Sequence, residues 1–385
     1  MARKKRVVVT GGNHRGALAA VRALHAAGYD AWAAASSRGA YGARSHAAAG
    51  AIIVPDSGYD PEGFIARLGS AAEELKIGRV IGGTERDLLA IARFRDRLGA
   101  LADGAPELDA LLRATDKSTI YRLAPQAGLR VPETTGLGSL NVLEGERMSM
   151  PVMIKPVRSE LEDSDGQLVG SACRRVSTGR ELSDLVQSLP TEHWVIQTCV
   201  EGRLGAVCGV AWNGEVVTTV HQIAERVWPP KVGVSSYART VPRDPALQDG
   251  VARLTGLLGW SGIFQAQFIH TEDGPYLIDF NPRIYGSLAL ATAAGANLPA
   301  IYVALMSGLP AETPGYRVGV RYRSEELDIR SLLHLMRSGR PVAASLGLIP
   351  RRNTVHAVAS VADPRPMLTS IQKLRQQGVK KLIKS

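Results

Sequence analysis

The first hundred residues alternate short apolar runs with longer segments whose apolar positions recur every three to four residues. The runs predict strands and the periodic segments predict helices, in the order strand 6–10, helix 15–27, strand 29–35, strand 51–54, helix 61–75, strand 79–81 and helix 85–98. Strands that alternate with helices in this way are typical of a parallel sheet covered by helices. This part of the chain is therefore predicted to be a parallel α/β domain.

Far downstream, two strand-like runs flank the turn-forming residues 272–274 and predict a β-hairpin. Because side chains alternate along a strand, Leu277, Asp279 and Asn281 are expected on one face of the second strand. Gln267 could meet them from the first strand. One carboxylate and two amide oxygens form a hard ligand set that holds Mg²⁺ while nucleotide phosphates complete the shell. Gln267, Asp279 and Asn281 are therefore the predicted metal ligands.

Composition narrows the classes of protein. The 385 residues are 45% hydrophobic and carry a formal net charge of +10, which predicts a soluble globular chain of two or three domains. The positive charge is scattered and aromatic residues make up only 5%, so nucleic-acid binding is not expected. The apolar run after the basic N-terminus breaks at Thr10-Gly11-Gly12, which is too early for a signal peptide or a membrane span. A cytoplasmic protein without membrane association is expected.

The sequence lacks the motifs of several other kinds of protein. Cys173, Cys199 and Cys208 have neither the number of a disulfide framework nor the spacing of a zinc site. The glycine-rich turn at residues 10–16 suits a bound phosphate and resembles the start of short-chain dehydrogenases, but the Tyr-x-x-x-Lys pair of that family is absent. There is also no Gly-x-Ser-x-Gly elbow. A dehydrogenase or a serine hydrolase is therefore not indicated.

The predicted hairpin resembles the last active-site strand of the ATP-grasp superfamily, which commonly has the pattern acidic-x-Asn-x-Arg. A Glu or Gln precedes that pattern by twelve positions, and Gln267 stands twelve positions before Asp279, with Asn281 and Arg283 following. Gln at this position is the variant of the carbamoyl-phosphate-synthetase-like branch. The alternative is an ordinary amphipathic hairpin, although Asn-Pro-Arg would then give it polar groups that need partners. The resemblance implies an ATP-grasp fold, two α+β lobes that grip ATP with Mg²⁺ or Mn²⁺, preceded by a Rossmann-like domain.

Two lysines extend the resemblance toward the nucleotide. Asp116 or Thr115 can cap the helix that opens at residues 115–118, and the family has a lysine at the position of Lys117 that reaches the phosphates. An apolar strand ends with Lys155, and a lysine in a buried run needs an anionic partner. The resemblance implies that Lys155 lies against the α-phosphate and adenine. A solvated surface charge is the alternative for Lys117 taken alone.

A predicted strand at 193–197 leads into residues 198–202, which resemble the hinge between the two lobes. In the family this hinge offers backbone donors and acceptors to adenine, which implies contacts at Thr198, Cys199 and Val200, while Gln197 could touch the amino group. Gln267 and Asp279 are expected to contact the nucleotide as well as the metal.

Two stretches depart from the family pattern. Residues 157–166 contain four acidic side chains where relatives have a glycine-rich loop, so Arg158, Ser159 and Gly166 are only candidates for covering the phosphates. Residues 203–205 lack the carboxylate that many relatives place beside the ribose. The sequence therefore leaves open how the phosphates are covered and how the ribose is recognised.

The segment 221–236 resembles a loop of carboxylate–amine ligases that approaches the acceptor and the γ-phosphate. Arg226, Lys231 and Ser235 are the candidates on the substrate side, and a solvent-facing loop is the alternative. His221 is expected to be a buried strand histidine with its hydrogen bonds satisfied rather than a base.

The resemblance implies an ATP-dependent ligase in which a carboxylate attacks the γ-phosphate of ATP and an amine attacks the resulting acyl phosphate. An amide or peptide bond forms, and ADP and phosphate are released. Arg283, Lys231 and Ser235 are the expected catalytic residues, with Arg283 holding the tetrahedral oxyanion. The expected substrates are amino acids or small peptides, and a homodimer is expected from the resemblance alone. Two alternatives stay open: a bicarbonate-activating carboxylase or carbamoyl-phosphate-type enzyme, and a non-catalytic nucleotide-binding regulatory protein.

The same resemblance predicts three consecutive domains. Residues 1–112 form the Rossmann-like domain, residues 113–310 form the ATP-grasp domain with a lid at about 130–195, and residues 311–385 form a C-terminal α/β segment. The last segment carries no motif that indicates a role.

Overall fold

The computed structural model describes residues 5–136, 150–162, 168–170, 173–186, 194–313 and 315–372. The strands are β1 Arg6–Val9, β2 Asp30–Ala35, β3 Gly50–Ile53, β4 Arg79–Ile81, β5 Thr134–Gly136, β6 Val152–Pro156, β7 Glu160–Glu162, β8 Leu168–Gly170, β9 Arg174–Val176, β10 Trp194–Thr198, β11 Arg203–Trp212, β12 Glu215–Trp228, β13 Val234–Thr240, β14 Gly262–Thr271, β15 Gly274–Asn281, β16 Arg321–Arg323 and β17 Thr354–His356.

The α-helices are α1 Arg15–Ala26, α2 Tyr41–Arg44, α3 Pro61–Leu75, α4 Glu85–Arg93, α5 Arg95–Leu98, α6 Leu108–Thr115, α7 Lys117–Leu123, α8 Gly179–Val186, α9 Pro245–Leu258, α10 Leu288–Ala294, α11 Leu298–Met306, α12 Glu325–Arg337 and α13 Pro341–Leu348. A short 3₁₀ turn spans Gly99–Ala102.

The chain divides into two compact units that are each discontinuous in sequence. The first unit contains Met1–Ala105, Ala224–Pro242 and Arg283–Ser385, and the second contains Pro106–Ile223 and Arg243–Pro282. The division into three consecutive domains stays a prediction. Gly166 and parts of the predicted lid lie outside the described residues.

The first unit contains the predicted parallel sheet. Its strand order is β3-β2-β1-β4, and each neighbouring pair is parallel. The expected α/β domain is therefore confirmed, with strand ends that differ from the prediction by at most one residue. The predicted helix at 85–98 was wrong as one element, because Phe94 leaves the helical conformation and packs against the apolar core between α4 and α5.

One buried carboxylate joins the carboxyl ends of β1 and β4 in this sheet. Asp87 accepts hydrogen bonds from the hydroxyls of Thr10 at 2.7 Å and Ser57 at 2.6 Å. Thr10 Oγ1 in turn accepts from the N–H of Gly83 at 2.9 Å. Burial raises the pKa of Asp87, and these hydroxyl donors oppose the rise. The glycine-rich turn after β1 is therefore held against the turn after β4.

The segment 221–236, predicted to be a loop, is mostly strand, since β12 continues to Trp228 and β13 begins at Val234. Its conformation is fixed by Arg226, whose Nε and Nη2 donate to the two carboxylate oxygens of Asp328 at 2.6 and 2.9 Å. The guanidinium also stacks over the ring of Tyr237 on β13 at 4.3 Å. These contacts give Arg226 a structural role in the first unit.

Among the described residues, the second unit contains the small antiparallel pair of β7 and β8 and two larger sets of antiparallel strands. One has the order β5-β10-β6-β9, and its apolar face packs Val152, Ile154 and Ile196 against Trp194 and Leu182. In the other, β15 pairs with β14, β14 with β11, and β11 with the first part of β12.

The predicted hairpin is confirmed as β14 and β15, but one face assignment was wrong. Gln267 pairs with Asp279 while Phe268 pairs with Leu277, so the register shifts by one residue between them. This β-bulge turns Leu277 into the apolar core beside Phe268, away from the face that carries Asp279. Strict alternation could not reveal the extra residue.

In the described part of the chain, no single helix has the length and apolar character needed to cross a membrane. Only α10 and α11 together meet these criteria, and they bend by 91° at the break between them.

His221 on β12 should make the stability of the second unit sensitive to acid. Its side chain is buried and its Nδ1 accepts from the backbone N–H of Asp244 at 3.3 Å. Burial lowers its pKa from 6.5 to about 4, with Asp244 opposing the change. Because the unfolded chain then takes up the proton first, stability should be lost as the pH falls from 6.5 toward 4.

We expect His221→Gln to remove roughly 2–3 kcal/mol of that acid-induced loss, measured as the difference between urea unfolding free energies at pH 7 and pH 4.5. The exposed His25 supplies the matched control, since His25→Gln should leave the wild-type loss unchanged. An equal loss in His221→Gln and in the wild type would contradict the assignment.

Candidate functional site

A buried lysine lies at the centre of the polar residues of the second unit. Alternation along β6 directs Val152 and Ile154 into the apolar cluster, which leaves Lys155 on the opposite face of the sheet. Only 6% of Lys155 is exposed. An ammonium buried to this extent is stable only when protein or ligand oxygens replace its water.

Three oxygens supply that replacement. Nζ of Lys155 donates to Oε1 of Gln197 at 2.6 Å, to the carbonyl oxygen of Ile278 at 2.9 Å and to the hydroxyl oxygen of Tyr121 at 3.2 Å. Burial lowers the pKa of Lys155, and the nearby Asp279 raises it. Burial, followed by Asp279, raises the pKa of Tyr121, so its phenol keeps the proton that it donates to Ile278 at 2.7 Å. Each ammonium proton therefore has an acceptor.

The amide of Gln197 is fixed from both ends. Its Oε1 accepts from Lys155, and its Nε2 donates to Oγ1 of Thr134 at 2.8 Å. Thr134 donates in turn to the carbonyl of Pro132 at 2.8 Å. Gln197 is 1% exposed, so it positions Lys155, while its predicted contact with adenine stays a prediction.

Lys117 is the first residue of α7, and Asp116 caps this helix by accepting from Thr119 N–H at 2.8 Å, as the sequence indicated. Lys117 is also 6% exposed. Its Nζ lies 3.9 Å from Oδ1 of Asp279 and donates to Oγ of Ser159 at 3.3 Å. Lys117 and Lys155 therefore both lie near the carboxylate of Asp279.

The candidate metal ligands occupy one face of the β14–β15 hairpin. Gln267 is directly opposite Asp279, and Gln265 is directly opposite Asn281. Nδ2 of Asn281 donates to Oδ2 of Asp279 at 3.3 Å, and the Asp279 side chain keeps 27% of its surface exposed. On the other face, the stacked rings of Phe264 and Phe280 hold the two strands together.

This donor set fits Mg²⁺ through its chemistry. Over the described ranges, no group of three His, Cys, Asp or Glu side chains could hold a metal ion. A site here would therefore combine the carboxylate of Asp279 with the amide oxygens of Asn281 and Gln267. Such a partial oxygen shell suits a hard cation whose remaining ligands are phosphate oxygens and water.

At the predicted hinge, two backbone donors already have protein acceptors. The N–H of Thr198 donates to the carbonyl of Glu133 at 2.9 Å, and that of Cys199 donates to the carbonyl of Pro151 at 3.2 Å. A base at this hinge would therefore meet the carbonyl oxygens of residues 198–200 or the N–H of Val200. The adenine contacts of Thr198, Cys199 and Val200 stay predictions.

The three predicted catalytic residues belong to the first unit. Lys231 is exposed in the turn after β12, with a left-handed φ of 68°. Ser235 is the second residue of β13. Arg283 lies two residues beyond the end of β15, and its Nη1 donates to the carbonyl of Ile284 at 3.0 Å. Their catalytic roles stay predictions.

Sequence reasoning missed Tyr121, Thr134 and the carbonyl of Ile278. Tyr121 had a detectable signal, because it follows Lys117 by four residues and so shares its helix face. Thr134 had none, since it meets Gln197 only through the pairing of β5 with β10.

Comparison with known proteins finds a similar family for part of the chain. Residues 191–326 match the family model described as ATP-grasp in the biosynthetic pathway with Ter operon. This match concerns residues 191–326 only, and that part of the chain is similar to ATP-grasp proteins. No curated protein matches the chain by sequence.

Solved structures with the ATP-grasp fold superpose on most of the chain. An L-amino acid ligase from Bacillus licheniformis has a TM-score of 0.59 and 17% identity, covering 81% of this chain and 76% of its own. N5-carboxyaminoimidazole synthetase from Staphylococcus aureus, complexed with ADP, has a TM-score of 0.60 and 12% identity over 81% and 80% of the two chains. A biotin carboxylase–β-γ-ATP complex from Campylobacter jejuni has a TM-score of 0.61 and 14% identity over 83% and 74%. At these identities the likeness concerns the fold.

The contacts of Lys155 predict the effect of removing one acceptor. In Gln197→Leu the ammonium loses its shortest hydrogen bond while it stays buried, so the lysine should be displaced or neutralised. We expect ATP to bind about tenfold more weakly, or about 1.4 kcal/mol, measured by isothermal titration calorimetry.

The exposed Gln126 in the turn after α7 gives the matched control, and Gln126→Leu should bind ATP as the wild type does. Thermal unfolding of both variants checks that the fold is kept. Unchanged ATP affinity in a folded Gln197→Leu protein would show that this acceptor is not needed.

Proposed function

We propose that this protein is an ATP-dependent carboxylate–amine ligase of the carbamoyl-phosphate-synthetase-like branch. It would activate a carboxylate as an acyl phosphate and join it to an amine, releasing ADP and phosphate. Small carboxylates and amines of the amino-acid or peptide class are the proposed substrates.

The observation that carries the proposal is the cluster formed by Lys117, Lys155 and Asp279. Two ammonium groups buried to the same degree lie near one accessible carboxylate on an ATP-grasp scaffold. Buried cations of this kind stabilise the charge on phosphate oxygens far better than exposed ones do. The net positive charge of the three groups suits a nucleotide polyphosphate.

In the proposed reaction the protein positions the reactants and stabilises the charge on the phosphate oxygens, and it supplies no nucleophile of its own. Lys117 and Lys155 would hold the phosphate oxygens of ATP. Asp279, Asn281 and Gln267 would hold Mg²⁺, which when bound neutralises charge on the phosphates. Arg283 would then hold the oxyanion formed when the amine attacks, with Lys231 and Ser235 orienting the acceptor.

The similar folds support a ligase but differ in chemistry. One belongs to an L-amino acid ligase and another to a biotin carboxylase. The sequence carries a single motif set without a glutaminase-like nucleophile, which argues against a complete carbamoyl-phosphate synthetase. Bicarbonate activation and nucleotide sensing are the outcomes that the experiment must separate from amide formation.

The deciding experiment incubates the full chain with ATP, Mg²⁺ and pools of amino acids and small carboxylic acids. We expect phosphate release that depends on one pool, together with ADP and a product lighter than its substrates by one water in mass spectrometry. Asp279→Asn should lower the rate at least 100-fold, because it removes the only carboxylate of the proposed metal set.

Asp273, exposed in the turn of the same hairpin, supplies the control, and Asp273→Asn should turn over at the wild-type rate. Release of AMP and pyrophosphate would rule out the acyl-phosphate route. ADP formation that requires only bicarbonate would favour the carboxylase alternative. ATP binding without turnover in any pool would favour the regulatory alternative.

A further inference from the structure

A second cationic site lies in the first unit, at the amino-terminal edge of the parallel sheet. A cavity of about 460 Å³ opens there between the start of β1, the link from α3 to β4, and the end of α11. Its lining includes Lys5, Arg6, Lys76, Arg79 and Ser307. The volume is in the range of small-molecule sites. None of these residues belongs to the proposed ATP site.

The two arginines have fixed positions. Nη1 of Arg6 donates to the carbonyl of Leu75 at 2.5 Å, and Nε of Arg79 donates to the carbonyl of Met306 at 3.0 Å. These bonds cap the last turns of α3 and α11. Arg6 also has an acidic neighbour, since Oδ2 of Asp30 lies 3.7 Å from its Nε. Both guanidinium groups are therefore held in place at the wall of the cavity.

The two lysines are available for a ligand. Lys5 and Lys76 are exposed, and within the described ranges neither side chain has an acidic partner. The described residues that line the cavity thus include four cationic side chains and no acidic one, which gives the cavity an excess of positive charge. Ser307 adds a hydroxyl that can donate a hydrogen bond.

The backbone at Lys76 places this side chain at the end of α3, beside the cavity. Lys76 ends α3 in the left-handed conformation, with φ 53° and ψ 47°. Glycine is the favoured residue at such a position, and a side chain there costs about 1 kcal/mol. The chain therefore accepts strain at the point where a lysine ammonium can reach the cavity.

We propose that this cavity binds the phosphate group of a small phosphorylated molecule. Two mobile ammonium groups and two fixed guanidinium groups match the charge and the several acceptor oxygens of a phosphate monoester dianion. A carboxylate has half that charge and fewer oxygens, so it should bind more weakly. The site does not depend on the proposed ligase activity.

Ribose 5-phosphate is a suitable probe, titrated calorimetrically into the full chain without ATP, with ribose as the phosphate-free control. We expect one site per chain, with no heat from ribose. The double variant Lys5→Gln, Lys76→Gln should weaken binding at least tenfold. Arg67 is exposed on α3 outside the cavity, so Arg67→Gln removes the same kind of charge and should bind as the wild type does.

Two further arms locate the phosphate and its source. Lys117→Met should keep full affinity, because Lys117 belongs to the proposed ATP site. Flotation with phosphatidylcholine vesicles, with or without phosphatidic acid, distinguishes a lipid headgroup from a soluble phosphate. If vesicles with phosphatidic acid capture the wild type but not the double variant, the phosphate belongs to a lipid.

Several results would overturn the proposal. The proposal fails if the double variant binds ribose 5-phosphate as tightly as the wild type does, or if Lys117→Met loses that binding. It also fails if acetate binds as tightly as ribose 5-phosphate, or if the protein binds neither ribose 5-phosphate nor phosphatidic acid. The double variant is checked by its ligand-free thermal midpoint, which should equal that of Arg67→Gln.

Discussion

The burial of the Lys155 ammonium is the constraint on which the second unit depends. A buried cation without acceptors costs several kcal/mol, and this one is stabilised only because Tyr121, Gln197 and Ile278 each present an oxygen to it. The three residues come from α7, β10 and β15, which lie far apart in sequence. The lysine therefore joins a helix and two sheets of the second unit at one point, and the same point carries the charge that the proposed chemistry needs. Structural and chemical demands on Lys155 cannot be separated, since any change that frees the ammonium for a ligand must also replace a protein contact.

Local patterns in the sequence predicted the elements well, because strand and helix periodicity and helix caps are properties of neighbouring residues. The parallel sheet of the first unit, the cap at Asp116 and the β14–β15 hairpin all follow from such patterns. The failures arise where distant residues decide. The bulge that turns Leu277 into the core depends on pairing across the hairpin, and the strand conformation around Arg226 depends on Asp328, which lies 102 residues away. The spacing of Asp279, Asn281 and Arg283 identified the candidate site because the motif is local. Thr134 and Ile278 escaped notice because one acts through a sheet partner and the other through a backbone oxygen.

The C-terminal segment is another part of the chain where contacts between distant residues decide the structure. Residues 311–385 gave no motif, yet the structure groups them with the first unit. Asp363 accepts from Arg22 at 2.9 Å and from Ser45 at 2.6 Å, and these donors with the N–H of His46 lower its pKa against the effect of burial. The carboxylate of Asp363 thus connects the segment around residue 363 to α1 and to the residues after α2. A polar contact between residues more than 300 positions apart has no sequence signature, although it fixes which parts of the chain fold together.

The two cationic sites share one feature, which is that each contains a pair of lysines in a chain whose basic residues are mostly arginines. The chain has ten lysines among its 46 basic residues, so arginine supplies most of the positive charge. The arginines described above have structural partners, such as the carboxylate of Asp328 for Arg226 and helix-end carbonyls for Arg79. Their planar, multidentate groups suit fixed oxygens. Lysine carries a compact charge on a flexible stem. At each of the two cationic sites it occurs as a pair, Lys117 with Lys155 near Asp279 and Lys5 with Lys76 at the cavity. The exposed lysines at the cavity can follow phosphate oxygens that arrive from solvent, whereas the arginines there are already bonded to backbone carbonyls and Lys155 is already bonded to three protein oxygens.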